Sequence, residues 1–113
     1  MFYWHLAGKT KDIELYKLVI EIGKAFQTWQ RVLAPLKIES TSDPKKAHIK
    51  IHFVQNGHPI LQGHEFGSVN GFGFYPDSER AGEIYLNDEK DWTDSKGNKP
   101  VFRTLRHEIG HTF

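Results

Sequence analysis

The chain closes with VFRTLRHEIGHTF, residues 101–113, and the rest of the sequence is read outward from that stretch. Pro100 stands just before it, a residue suited to a first helical turn because the missing N–H would have no intrahelical acceptor there. At helical spacing Val101, Leu105 and Ile109 form one apolar stripe, and Thr104, His107 and His111 form the opposite face. His107 and His111 are one turn apart, so both imidazoles can bind one ion. Glu108 lies about 100° further round, close enough to reach a water on that ion without ligating it. One face of this helix serves a core and the other serves chemistry.

His-Glu-x-x-His in a helix fits a zinc peptidase. The metal lowers the pKa of a water and polarises the scissile carbonyl, while Glu108 takes the water's proton as general base and passes it to the leaving amine. Such a site needs three protein ligands and an open position, and His107 and His111 supply two. In the extended motif a Gly breaks the helix and a third His follows; that Gly would be the residue immediately after Phe113. The competing reading is a surface helix with two solvated histidines.

The remainder of the 113 residues suffices for one domain, or part of one, with hydrophobic residues at 38% and aromatics at 13%. A net charge of +1 without long runs of one sign leaves no electrostatic footprint for nucleic acid or an anionic membrane. The absence of cysteine excludes disulfides and thiolate zinc ligands. MFYWHLAGKT lacks a basic start and a long apolar run, so no signal peptide is visible.

Phe2 to Leu6 reads as an opening strand. From Asp12 to about Ala34 the pattern turns helical, with Leu15, Leu18, Val19, Ile22, Phe26, Trp29, Val32 and Leu33 as a wide apolar stripe, ended by Pro35. Leu36 to Glu39 suits a short strand. In Ala47 to Val54, Ile49, Ile51 and Phe53 alternate with His48, Lys50 and His52, which predicts a half-buried strand with those histidines exposed, His5 likewise. A loop from Gln55 to Ser68 leads to a strand over Val69 to Pro76, thinned by Gly71 and Gly73, and another strand covers Gly82 to Asn87. The order of elements indicates an α+β layer, one sheet with helices on it.

Block by block, the chain resembles the metzincins, and within them the catalytic domain of the matrixins, the matrix-metalloproteinase-like peptidases. FYWHL is similar to the family's first strand, and IELYKLVIEIGKAFQTWQRVLAPLKIES to its long helix and second strand. KKAHIKIHF resembles its ADIxIxF strand, SVNGFGFYP and GEIYLNDEKDW its fourth and fifth strands, and KPVFRTLRHEIGHTF its active-site helix. The resemblance implies a twisted, mostly parallel, mixed five-stranded sheet with a long backing helix. It implies a zinc-dependent endopeptidase with His107 and His111 on the catalytic Zn2+ and Glu108 as the base. Asn70, Gly71 and Phe72 would lie on the sheet edge against which an extended substrate pairs antiparallel. Residues 1–113 would be the N-terminal, upper part of the catalytic domain, with the third His and the Met-turn outside the chain. The partner would be a peptide or protein substrate, and the protein a monomer acting outside the cell.

There are departures from the family pattern. Its structural zinc takes one His from strand four and one from strand five, where this chain has Phe72 and Tyr85. Its structural Ca2+ takes acidic ligands where this chain has Asn87 and Lys90, and a Lys cannot ligate calcium. Neither structural Zn2+ nor Ca2+ is expected. His58 and His64 lie in the metal-bearing loop and read as solvated residues. They are also the candidates for a third ligand if the chain is instead a minimal, non-catalytic zinc- or peptide-binding module of the same fold.

Overall fold

FYWHLAG folds as strand β1 (Phe2–Gly8), and the chain continues through helix α1 (Leu15–Leu33), β2 (Ile38–Ser40), β3 (Ile49–Val54), β4 (Gly71–Gly73), β5 (Glu83–Asn87) and helix α2 (Val101–Thr112). This computed structural model describes residues 2–34, 37–61, 63, 66–67, 69–74, 80–93 and 97–112; of Leu33, His111 and Thr112 it describes the backbone alone. The strands form one sheet in the order β2-β1-β3-β5-β4. β1 is parallel to β2 and β3, β3 is parallel to β5, and β4 pairs antiparallel with β5 at the edge. The mixed five-stranded α+β architecture is the one the resemblance implies.

Both helices lie on one face of the sheet, where Leu18 and Ile22 of α1, Ile49 and Ile51 of β3, Ile84 and Leu86 of β5 and the α2 stripe share one core. Trp4 of β1 stacks on Phe26 of α1 with ring centroids 5.4 Å apart. The packed face of α1 is narrower than its sequence suggests. Leu15, Val19 and Val32, placed in the stripe by their spacing, are exposed, and so are Tyr16 and Ile20. The helix also starts at Leu15 rather than Asp12. The Asp12 carboxylate accepts the Trp92 N–H at 2.9 Å, and Glu14 has extended backbone angles, so tertiary pairing holds this segment out of the helix. Ile13 is still buried in the core.

The other face carries a second apolar cluster of Val54, Leu61, Phe66 and Tyr85, against which Ile60, Phe72 and Phe74 pack. That cover explains one correction. His52 was predicted exposed from the alternation of β3, yet it is 8% exposed. Its ring stacks on Tyr85 at 4.9 Å, and its Nε2 lies 4.0 Å from the Glu83 carboxylate. His48 is exposed as predicted, with Nδ1 accepting the Tyr3 N–H. His5 is half-buried, its Nδ1 2.9 Å from the Thr41 carbonyl.

Burial pushes the His52 imidazole below its ordinary 6.5, with Arg80, Lys50 and His5 acting in the same direction and Glu83 against it. The unfolded chain therefore takes up this proton before the folded one. The folded state keeps its full stability above the unfolded value and loses it as the pH falls towards the depressed folded value. In urea unfolding, the midpoint is expected to fall between about pH 7.5 and about pH 5.5, and to fall less in His52→Phe, which keeps the ring stack. Equal pH slopes for the two proteins would remove His52 from the account.

Candidate active site

The sequence orients α2 by giving it one face that must be buried. Val101, Leu105 and Ile109 are all 0% exposed, which turns His107 and Thr104 away from the core. The start of the helix is set by a short parallel bridge between Thr93 and Pro100, with Val101 N–H donating to the Thr93 carbonyl at 3.1 Å. Its far end is held by α1, where Trp29 Nε1 donates to the Arg106 carbonyl at 2.8 Å. A Cβ at Gly110 would lie 2.9 Å from Trp29 Cζ2, so the glycine inside the motif is what lets the indole lie against α2.

A cleft of about 560 Å³ runs between α2 and the β4 edge, walled by Arg103, Thr104, His107 and Glu108 on one side and Val69, Asn70, Gly71 and Phe72 on the other. The His107 side chain is 73% exposed and that of Glu108 only 4%, with Nε2 and Oε1 3.9 Å apart. An accessible imidazole thus stands beside a sheltered carboxylate. Of the residues predicted for the site, His107, Glu108, Asn70, Gly71 and Phe72 meet at this cleft. The backbone at His111 continues α2 one turn beyond His107, while its side chain lies outside the described residues, as does all of His64. His58 is exposed and its Nδ1 accepts the Ile60 N–H at 3.1 Å, which occupies it in a local turn. No group of three His, Cys, Asp or Glu placed to share a metal occurs among the described residues. The donors that are placed fit zinc in kind, an exposed imidazole one helical turn from a second histidine.

The register of β4 determines which of its main-chain groups are free. Asn87 N–H donates to the Asn70 carbonyl at 2.7 Å, and Phe74 N–H to the Glu83 carbonyl at 3.1 Å. In an antiparallel ladder the inward-facing residues alternate, so Asn70, Phe72 and Phe74 bond to β5, and Gly71 and Gly73 turn their N–H and C=O outward. Within the predicted trio only Gly71 offers its backbone to a ligand. Gly73 is its missed companion, identifiable only once the register is known.

The residues that stand at the strand-four and strand-five positions of the family's structural zinc pack as rings. Phe72 and Tyr85 lie 5.7 Å apart, within a group of rings completed by Phe66 and Phe74. The Arg80 guanidinium sits over Tyr85 at 4.7 Å and Phe74 at 5.3 Å, pairs with Glu83 at 2.8 Å, and donates to the Ile60 carbonyl at 2.6 Å and to the Tyr85 hydroxyl. Burial, then the Glu83 charge, pushes the Tyr85 hydroxyl up to about 12. Asn87 spends its side-chain amide on the Val69 carbonyl and the Glu89 N–H.

A family model for the matrixins matches residues 2–113. The chain is also 28% identical over 112 residues to the interstitial collagenases of Equus caballus, Bos taurus and Oryctolagus cuniculus. Each alignment covers 96% of this chain and 23% of the relative, so the chain spans about a quarter of the length of those proteins.

The close approach of β4 to β5 can be tested at Gly71. A Cβ there would lie 2.7 Å from the Tyr85 carbonyl oxygen and 3.3 Å from the Leu86 Cα, both parts of the main chain. Gly71→Ala is expected to destabilise the fold by about 1–3 kcal/mol, seen as a lower urea midpoint. An unchanged midpoint would show that the strands are not held at this separation.

Proposed function

The chain belongs to the matrixin family of metalloendopeptidases, and on that premise we propose that it carries the catalytic centre of a zinc-dependent endopeptidase, with His107 and His111 holding the metal and Glu108 acting as general base. The observation that carries the reading is the sheltered Glu108 carboxylate 3.9 Å from the exposed His107 Nε2, in a cleft bounded by a free strand edge. In this reading residues 1–113 are the upper part of the catalytic domain, and a third ligand completes the set. A bound zinc supplies Lewis acidity to the scissile carbonyl and to the attacking water.

The chain's own groups do the rest. Gly71 and Gly73 pair with an extended peptide and lay it along the cleft above α2. Glu108 accepts a proton from the attacking water at its carboxylate and returns it to the departing amine nitrogen. Its burial keeps the carboxylate in place and limits competing water. The substrate is a peptide or protein, and in this reading the protein works outside the cell as a monomer, with no role for nucleic acid. No helix among the described residues is long and apolar enough to cross a membrane.

The test is hydrolysis of a peptide library together with zinc content. Glu108→Ala is expected to lower turnover by roughly 10²–10⁴-fold while zinc is retained, and His107→Ala is expected to lose the zinc. Undiminished cleavage by the Glu108 variant would overturn the mechanism. A non-catalytic zinc- or peptide-binding module is the second reading, favoured by the outward main-chain groups of Gly71 and Gly73, which can pair with an extended peptide without a metal. It would be chosen by peptide binding that survives a chelator without turnover.

A further inference from the structure

The two walls of the cleft belong to different parts of the fold, and a closed circuit of hydrogen bonds joins them. Asn87, fully buried at the end of β5, holds the approach to β4: its N–H donates to the Asn70 carbonyl at 2.7 Å and its Nδ2 to the Val69 carbonyl at 3.1 Å. Its own carbonyl accepts the Trp92 indole N–H at 2.9 Å. The next residue, Thr93, exchanges two bonds with Lys99, through Thr93 N–H to the Lys99 carbonyl at 2.9 Å and Lys99 N–H to Thr93 Oγ1 at 3.1 Å. Lys99 precedes the helix that carries His107 and Glu108. Its Nζ then reaches back to Asn70 Oδ1 at 3.0 Å and closes the circuit.

Every other link in this circuit stays on one side of the cleft or runs through the buried Trp92 and Asn87. The Lys99–Asn70 bond is the link from the segment leading into α2 to the head of the β4 edge. It is charge-assisted and half-buried, which favours it over a fully solvated contact. We propose that Lys99 is a positioning residue: its bond to Asn70 fixes the separation of the β4 edge from α2, and with it the register in which an extended peptide lies over His107. This rests on the peptidase reading above, because the register matters only to a peptide paired with β4.

Hydrogen exchange on the 113-residue chain reads the tie without any activity. In Lys99→Met the Asn87 amide, bonded to the Asn70 carbonyl, is expected to exchange about threefold or more faster, while the amides of β1 and β3 stay as they were. Lys99→Arg, which keeps a cationic donor, is expected to restore slow exchange. With peptide substrate, KM is expected to rise by a similar factor in Lys99→Met at nearly constant kcat. An uncleaved peptide bound to the Glu108→Ala chain is expected to weaken in parallel.

An unchanged Asn87 amide would overturn the proposal. So would faster exchange throughout the sheet, which would make Lys99 a general support of the fold, or a local change with KM unmoved. A wild-type protein carrying the whole catalytic domain, third ligand included, that neither binds nor cleaves peptides would sink the peptidase reading, and with it the role in substrate register. The exchange data would still decide whether the tie exists.

Discussion

The burial of three side chains, Val101, Leu105 and Ile109, is the constraint on which the rest of the molecule depends. A helix offers its two faces together, so sealing that stripe against α1 and β5 commits the opposite face to solvent and to the strand edge beside it. Each fully buried aliphatic side chain contributes roughly 1.5–3 kcal/mol, more than a solvated histidine can return by turning inward. Trp29 then limits rotation of the helix, since its indole bonds to the Arg106 carbonyl in the space left by Gly110. The placement of His107 and Glu108 is therefore a by-product of the core.

How far the sequence disclosed this varies with the kind of constraint. The faces of α2 were legible because a period, a proline and a motif agreed on them. The faces of β3 were legible as faces, but alternation does not say what covers each one, and His52 is buried by Tyr85 and Glu83 from a strand reached much later in the chain. The start of α1 was misplaced for the same reason: Asp12 continues a helical pattern, yet its carboxylate is taken by Trp92, 80 residues away. On the β4 edge, composition pointed to the right strand but could not tell Gly71 and Gly73 from Asn70 and Phe72, because that distinction exists only in the pairing with β5. Lys99 carried no signal at all, being one lysine in a polar loop. Arg103 could have been found, since it stands one helical turn before His107 on the same side.

On the far face of the sheet, one cation and four rings stand where the family pattern places metal ligands. Arg80 touches the 3-10 turn at Pro59–Leu61, the residue following β4, and β5, so it gathers segments that are distant in sequence. A metal does this through a few short bonds and depends on ligand protonation and free-ion supply. A guanidinium stays charged at any physiological pH, and its contacts are spread over stacked faces and a carbonyl. The contacts that Arg80 makes to the residue following β4 and to β5 therefore keep their strength whatever the supply of metal ions.

The antiparallel pairing of β4 has a consequence for direction. β1, β3 and β5 all run the same way, and β4 alone is reversed. A strand laid antiparallel on the free side of β4 must run with the rest of the sheet. Its groups then meet Gly71 and Gly73 at the spacing of alternate residues, about 7 Å. A strand laid the other way uses the same two glycines through slanted bonds, and its pairing is slightly weaker per residue. The free edge therefore has a polarity set by the backbone before any side chain is read, a modest preference for a strand that runs with the rest of the sheet.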